Sequence, residues 1–65
     1  MTWYTVYYHS LTEKHVTITA LKTNNRSAAF DCARKLSKKH STKVTVSAEK
    51  GMKMYFHTFD KGERL

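Results

Sequence analysis

Apolar and polar positions divide the chain into four strand-like runs and one helix-like run. Residues 3–9 read Trp-Tyr-Thr-Val-Tyr-Tyr-His, rich in the β-branched and aromatic side chains that suit a pleated surface. In residues 15–21, Val16, Ile18 and Ala20 alternate with Thr17 and Thr19, the period of two of a half-buried strand. The polar stretch Ser10 to Lys14 joins these runs as a hairpin whose connection exceeds a tight turn.

Lys22-Thr23-Asn24-Asn25 interrupts the alternation, and Asn25 is the expected N-cap, with Thr23 or Asn24 as alternatives. The helix is predicted to run from there to about His40. Ala28, Ala29, Cys32, Ala33 and Leu36 share one arc of its surface, with Phe30 at the flank. Arg34, Lys35 and Lys38 lie opposite, and Lys39 stands at the border. Residues 43–48 then place Val44, Val46 and Ala48 on one side of a third strand. Glu49-Lys50-Gly51 reads as a three-residue turn into a fourth strand over 53–59. That turn puts Met54 and Phe56 on the face of Val44 and Val46. The tail from Asp60 to Leu65 is polar and expected to fray.

The predicted architecture is one α+β domain of order β-β-α-β-β, an antiparallel sheet of two hairpins with one helix on one face. Its expected core is Val6, Val16, Ile18, Ala29, Cys32, Ala33, Leu36, Val44, Val46, Met54 and Phe56. The opposite face then carries Trp3, Thr5, Tyr7, Thr17, Thr19, Thr45, Ser47, Tyr55, His57 and Phe59. Contiguous exposed aromatic surface marks a contact, which makes Trp3, Tyr7, Tyr55 and Phe59 candidate protein-interface residues. The same rings would suit stacking of single-stranded bases. The plainer reading is cross-strand aromatic pairing that stabilises an exposed sheet.

Length and charge sharpen this picture. At 65 residues the chain holds one domain, and Cys32 as the only cysteine excludes an intrachain disulfide. A domain so small has a thin core, which favours a second copy as a stabilising partner. The formal net charge is +7. Lys22, Arg26, Arg34, Lys35, Lys38, Lys39 and Lys43 stand together with Asp31 as the sole acid among them. A solvated face ordinarily mixes signs, so this run points to a polyanion, while the bland reading is solubility. Cations in the last helical turns also complement the helix dipole, and Asp31 can pair with Lys35 one turn on.

Catalytic signals are absent from the pattern. No Gly-rich phosphate loop or activated nucleophile is recognisable, and Glu13, Asp31, Glu49, Asp60 and Glu63 form no pair on one element. His9, His15, His40 and His57 lack zinc-ligand spacing, although the first hairpin would bring His9 toward His15. Cys32 reads as an inert core thiol. Residues 1–10 read as strand rather than secretion signal, and no run approaches a membrane span, so a cytoplasmic location is expected. In length, charge and lack of catalytic residues the chain resembles the small accessory proteins of bacteriophages and mobile elements. That likeness involves no motif and assigns no residue.

The expected function is non-enzymatic nucleic-acid binding without a cofactor. Phosphate contacts fall to Arg34, Lys35, Lys38, Lys39 and Lys43, aided by Ser37, Ser41 and Thr42. Lys53, Tyr55 and His57 join if the open sheet face takes part. The alternative is a protein-interaction module or inhibitor that uses the aromatic face, with an acidic protein or a second copy as partner.

Overall fold

A computed structural model of the chain describes residues 1–9, 16–40 and 42–65. The architecture is α+β. Strands β1 (Thr2–His9) and β2 (Thr17–Thr23) precede helix α1 (Arg26–His40). Strands β3 (Val44–Lys50), β4 (Lys53–Asp60) and β5 (Glu63–Arg64) follow it. All five form one open antiparallel sheet in the order β2-β1-β3-β4-β5, with α1 packed on one face. Because β1 pairs with both β2 and β3, those two strands run parallel, and the helix crosses over β1 to connect them. The connection Ser10 to His15 and residue Ser41 lie outside the described residues.

The helix starts where its first turn is satisfied. Asn25 Oδ1 accepts from Ala28 N–H at 3.1 Å, an N-cap bond, and Asn25 O accepts from Ala29 N–H at 3.1 Å. Thr23 Oγ1 in turn accepts from Asn25 N–H at 3.1 Å and fixes the approach of the chain. Ala29, Ala33 and Ser37, one turn apart, are fully buried against the sheet. Small side chains there let the helix axis sit close to the strands. Phe30, Cys32 and Leu36 fill the flanks of that stripe.

On the sheet, Val6 of β1 faces Val46 of β3, and Tyr4 and Tyr8 lie opposite Ala48 and Val44. These residues line the helix side. Tyr4 meets Phe30 edge-on at 6.4 Å, and Tyr8 stacks on His40 at 5.8 Å. Neither tyrosine figured in the core expected from sequence.

The β3–β4 hairpin corrects the largest sequence-based expectation. Lys50 pairs with Lys53, so the turn is the two residues Gly51–Met52 rather than Glu49-Lys50-Gly51. Gly51 has φ 60° at the first central position, the conformation that a type II′ turn gives to glycine. A change of odd parity in hairpin register moves every side chain of β4 to the other face. Phe59, His57 and Tyr55 consequently stand beside Val44, Val46 and Ala48 on the helix side. Phe59 is the largest fully buried side chain, whereas Phe56 is 59% exposed and Met54 52% exposed on the open face.

A second correction comes from β2. The pairing shifts between Val6 and Tyr7, so Val6 faces Leu21 while Tyr8 faces Ile18. This bulge leaves Ala20 without an opposite residue and puts Leu21, not Ala20, against the core. Val16 and Ile18 remain 40% and 38% exposed.

The tail is also ordered. Lys61 (φ 52°) and Gly62 (φ 81°) make a two-residue turn of the type I′ kind, and Glu63 returns opposite Asp60. Leu65 N–H donates to Thr58 O at 2.9 Å. No helix among the described residues is long and apolar enough to cross a membrane.

The register makes a clear demand on stability. Phe59→Ala should cost about 3–5 kcal/mol through the cavity it leaves, enough to threaten folding of so small a domain. Phe56→Ala should cost under about 1 kcal/mol. Denaturant unfolding of the two variants checks this, and the reverse ranking would mean that β4 presents its other face.

Candidate nucleic-acid interface

The cations of α1 fall into two rows set by the helical period, in which residues four apart lie one above the other. Arg26, Phe30, Arg34 and Lys38 form the row that flanks β4 and β5. Asp31, Lys35 and Lys39 form the next row outward. Arg26, Arg34, Lys35, Lys38 and Lys39 are all exposed. Asp31 and Lys35 approach to 3.8 Å, but both are well exposed, so the pair neutralises little.

The β4–β5 turn extends the first row. Ser37 is fully buried, donates its hydroxyl to Arg34 O at 3.0 Å and accepts from Gly62 N–H at 2.9 Å. This bond clamps the turn to the helix and holds Gly62 beside the Lys38 side chain. Lys61, exposed in the same turn, neighbours that contact. At the other end, the guanidinium groups of Arg26 and Arg64 lie 4.9 Å and 5.8 Å from the Phe30 ring centre. His57 meets the same ring edge-on at 5.1 Å. Burial, then the charges of Arg64 and Arg26, pulls the His57 pKa below its ordinary 6.5, so the ring is neutral at neutral pH.

Several expected contacts change place. Lys53, Tyr55 and His57 were assigned to the open sheet face, yet the register puts all three on the helix side. Phe59 was a candidate interface residue, and it is buried in the core. Ser37 supports the structure and is not exposed to a ligand, while Thr42 is half-buried. Ser41 lies outside the described residues. Trp3 and Tyr7 do stand on the open face, together with Met54 and Phe56. Lys61 and Arg64 add to the cationic surface and were not anticipated from sequence, whereas Arg26 was counted in the basic run without being assigned a phosphate contact. The four-residue steps from Arg26 to Phe30 and from Phe30 to Arg34 were the available signal for Arg26. Lys61 and Arg64 arrive only through β5.

Charge is segregated between the two sides of the molecule. Register places Lys50, Lys53 and Arg64 on the helix side with the bases of α1, where Asp31 is the only acid among the described residues. Glu49, Asp60 and Glu63 lie on the open side, together with Lys22. Lys43, one residue before the buried Val44, follows the strand alternation onto that side and lines a cleft with Tyr7, His9, Thr45 and Thr58. Alternation thus separates it from the bases of α1, with which the sequence had grouped it.

Among the described residues, no three His, Cys, Asp or Glu side chains gather as a metal site requires. His9 Nδ1 lies 3.5 Å from Thr17 Oγ1, and His15 is outside the described residues. Burial raises the Cys32 thiol above its ordinary pKa against the opposing pull of Lys35, which keeps it protonated and unreactive at neutral pH. No protein family, curated protein or solved structure matches the chain.

Two measurements test this arrangement. Ser37→Ala removes the acceptor of a part-buried N–H and should cost about 1–3 kcal/mol. Amide exchange at Gly62 and Leu65 should then speed up before the rest of the sheet, and unchanged protection would mean that the clamp is idle. For His57, the unfolded chain takes up a proton first as pH falls through 6.5, because the folded value is lower. Stability should therefore rise with pH across the window from the folded value to 6.5. His57→Gln should remove that contribution, as thermal melts over the window would show.

Proposed function

We propose that the chain binds nucleic acid through the helix side, with phosphates held along the row Arg26, Arg34 and Lys38 and by Lys35, Lys39, Lys61 and Arg64. The observation that carries this reading is the segregation of charge. The helix side gathers bases from α1, β4 and β5 around a single acid, while the remaining described acids face away. Solubility alone needs net charge but no such separation. Arg26 and Arg64 flanking Phe30 add planar, bidentate donors suited to phosphate. The exposed Tyr55, on the same side, is available for stacking on a base.

Binding of this kind is dominated by counterion release and carries little base preference. The function is non-enzymatic on this reading and needs no cofactor. Its setting in the cell is taken to be the cytoplasm.

Titration of short single-stranded and duplex DNA and RNA at several salt concentrations tests the proposal. Affinity should fall with a log–log slope of about 0.7–0.9 per phosphate contacted. Reversal of Lys35 and Lys38 to Glu should weaken binding more than about tenfold and reduce the slope by about two. Lys22→Glu, on the open face, should change it far less. Phosphate beside Arg26 and Arg64 offsets their effect on His57, so the His57 ring should titrate at higher pH in the complex. By linkage, affinity should then increase as pH falls toward and below 6.5. Equal affinity for the Lys35 and Lys38 reversal variant would overturn the reading.

A further inference from the structure

We propose that the open face of the sheet is the interface of a homodimer. Two copies of this chain pack face to face about a two-fold axis that lies across the strands and passes β3 between Thr45 and Ser47. Among the described residues no element packs on this face, and large apolar side chains stand among its threonines and serines. Phe56, Met54 and Trp3 are 59%, 52% and 41% exposed on it.

Register fixes how large and small side chains are laid out. Thr5, Ser47 and Phe56 form one cross-strand row, and Tyr7, Thr45 and Thr58 form the next. An axis between these rows exchanges them while keeping each strand over its own counterpart. Phe56 then meets Thr58 of the second copy, Tyr7 meets Thr5, and Thr45 meets Ser47. Phe56 and Tyr7 are thus each opposed by a small side chain, the interdigitation that packed sheets about 10 Å apart require, while toward the rim Trp3 meets His9 and Met54 meets Asp60 of the second copy. A two-fold interface has to be self-complementary in this way.

Charge obeys the same axis. Trp3, Glu49 and Met54 form the row on one side, and Lys43 lies beyond Thr45 on the other. The axis sets Lys43 over Glu49 of the second copy, and symmetry repeats the pair. Two chains of net charge +7 repel. The open face, where Glu49, Asp60 and Glu63 stand against Lys22 and Lys43 and leave a single net negative charge among the described residues, is the approach that costs least, and it leaves both cationic helices facing outward. The proposal stands apart from nucleic-acid binding and is tested without nucleic acid.

The experiment is sedimentation equilibrium of the full chain over a wide concentration range, with circular dichroism as the control for folding. The wild-type chain is expected to associate reversibly to twice the chain mass. Phe56→Lys should leave it monomeric with an unchanged spectrum. Lys43→Glu and Glu49→Lys should each weaken the dimer roughly tenfold, because symmetry counts each change twice. The double variant should restore the affinity, since the exchanged charges meet again only across the interface; the two positions lie six residues apart on one strand. A wild-type chain that stays monomeric at its highest soluble concentration overturns the proposal. A larger assembly does so too, as does a double variant no tighter than the single ones.

Discussion

The two-residue turn at Gly51–Met52 sets the parity of the last hairpin, and both surfaces of the sheet depend on it. Glycine takes the positive φ of the first turn position without steric cost, which lets Lys50 and Lys53 close the pairing directly. Phe59 is thereby driven between the strands and Phe30, where the rings meet edge-on at 5.5 Å. Phe56 is left on the other face. Since side chains alternate along a strand, no partial compromise between the two arrangements exists.

From Phe59 the argument extends to the cationic surface. Phe30 packs against Phe59, Tyr4 and His57, and the guanidinium groups of Arg26 and Arg64 lie over its ring. The strand that delivers Arg64 is itself held by Ser37, whose hydroxyl reaches Gly62 from inside the helix–sheet contact. A hydrophobic ring and one part-buried hydrogen bond thus position charges that are far apart in sequence. Arginine suits such a place because its guanidinium group stacks on an aromatic ring and keeps donors free at its edge.

The two sides of the sheet divide the physical burdens of a very small domain. The helix side supplies the core and gathers the bases, so its outer surface repels a like copy. The open side is close to balanced in charge and carries rings that the helix does not cover. The proposed polyanion contact and the proposed dimer therefore occupy opposite surfaces, and each leaves the other free.

Local pattern alone determined a good deal. Alternation identified four strands, Asn25 marked the helix start, and of the predicted arc Ala29 and Ala33 are buried, Cys32 and Leu36 half-buried and Ala28 exposed, an arc legible because it depends on residues near in sequence. The exposed cations Arg34, Lys35, Lys38 and Lys39 were legible for the same reason. Tertiary structure decided what depends on parity and pairing. Two consecutive candidate faces of β4 are both aromatic, Phe56 against Phe59, so hydrophobicity could not choose between them, and the turn did. The bulge in β2 exchanged Ala20 for Leu21, and β5 turned a polar tail into a strand that brings Lys61 and Arg64 to the helix. A shift of one residue costs a sequence pattern almost nothing, yet it reverses which side chain meets the core, and only the assembled sheet selects it.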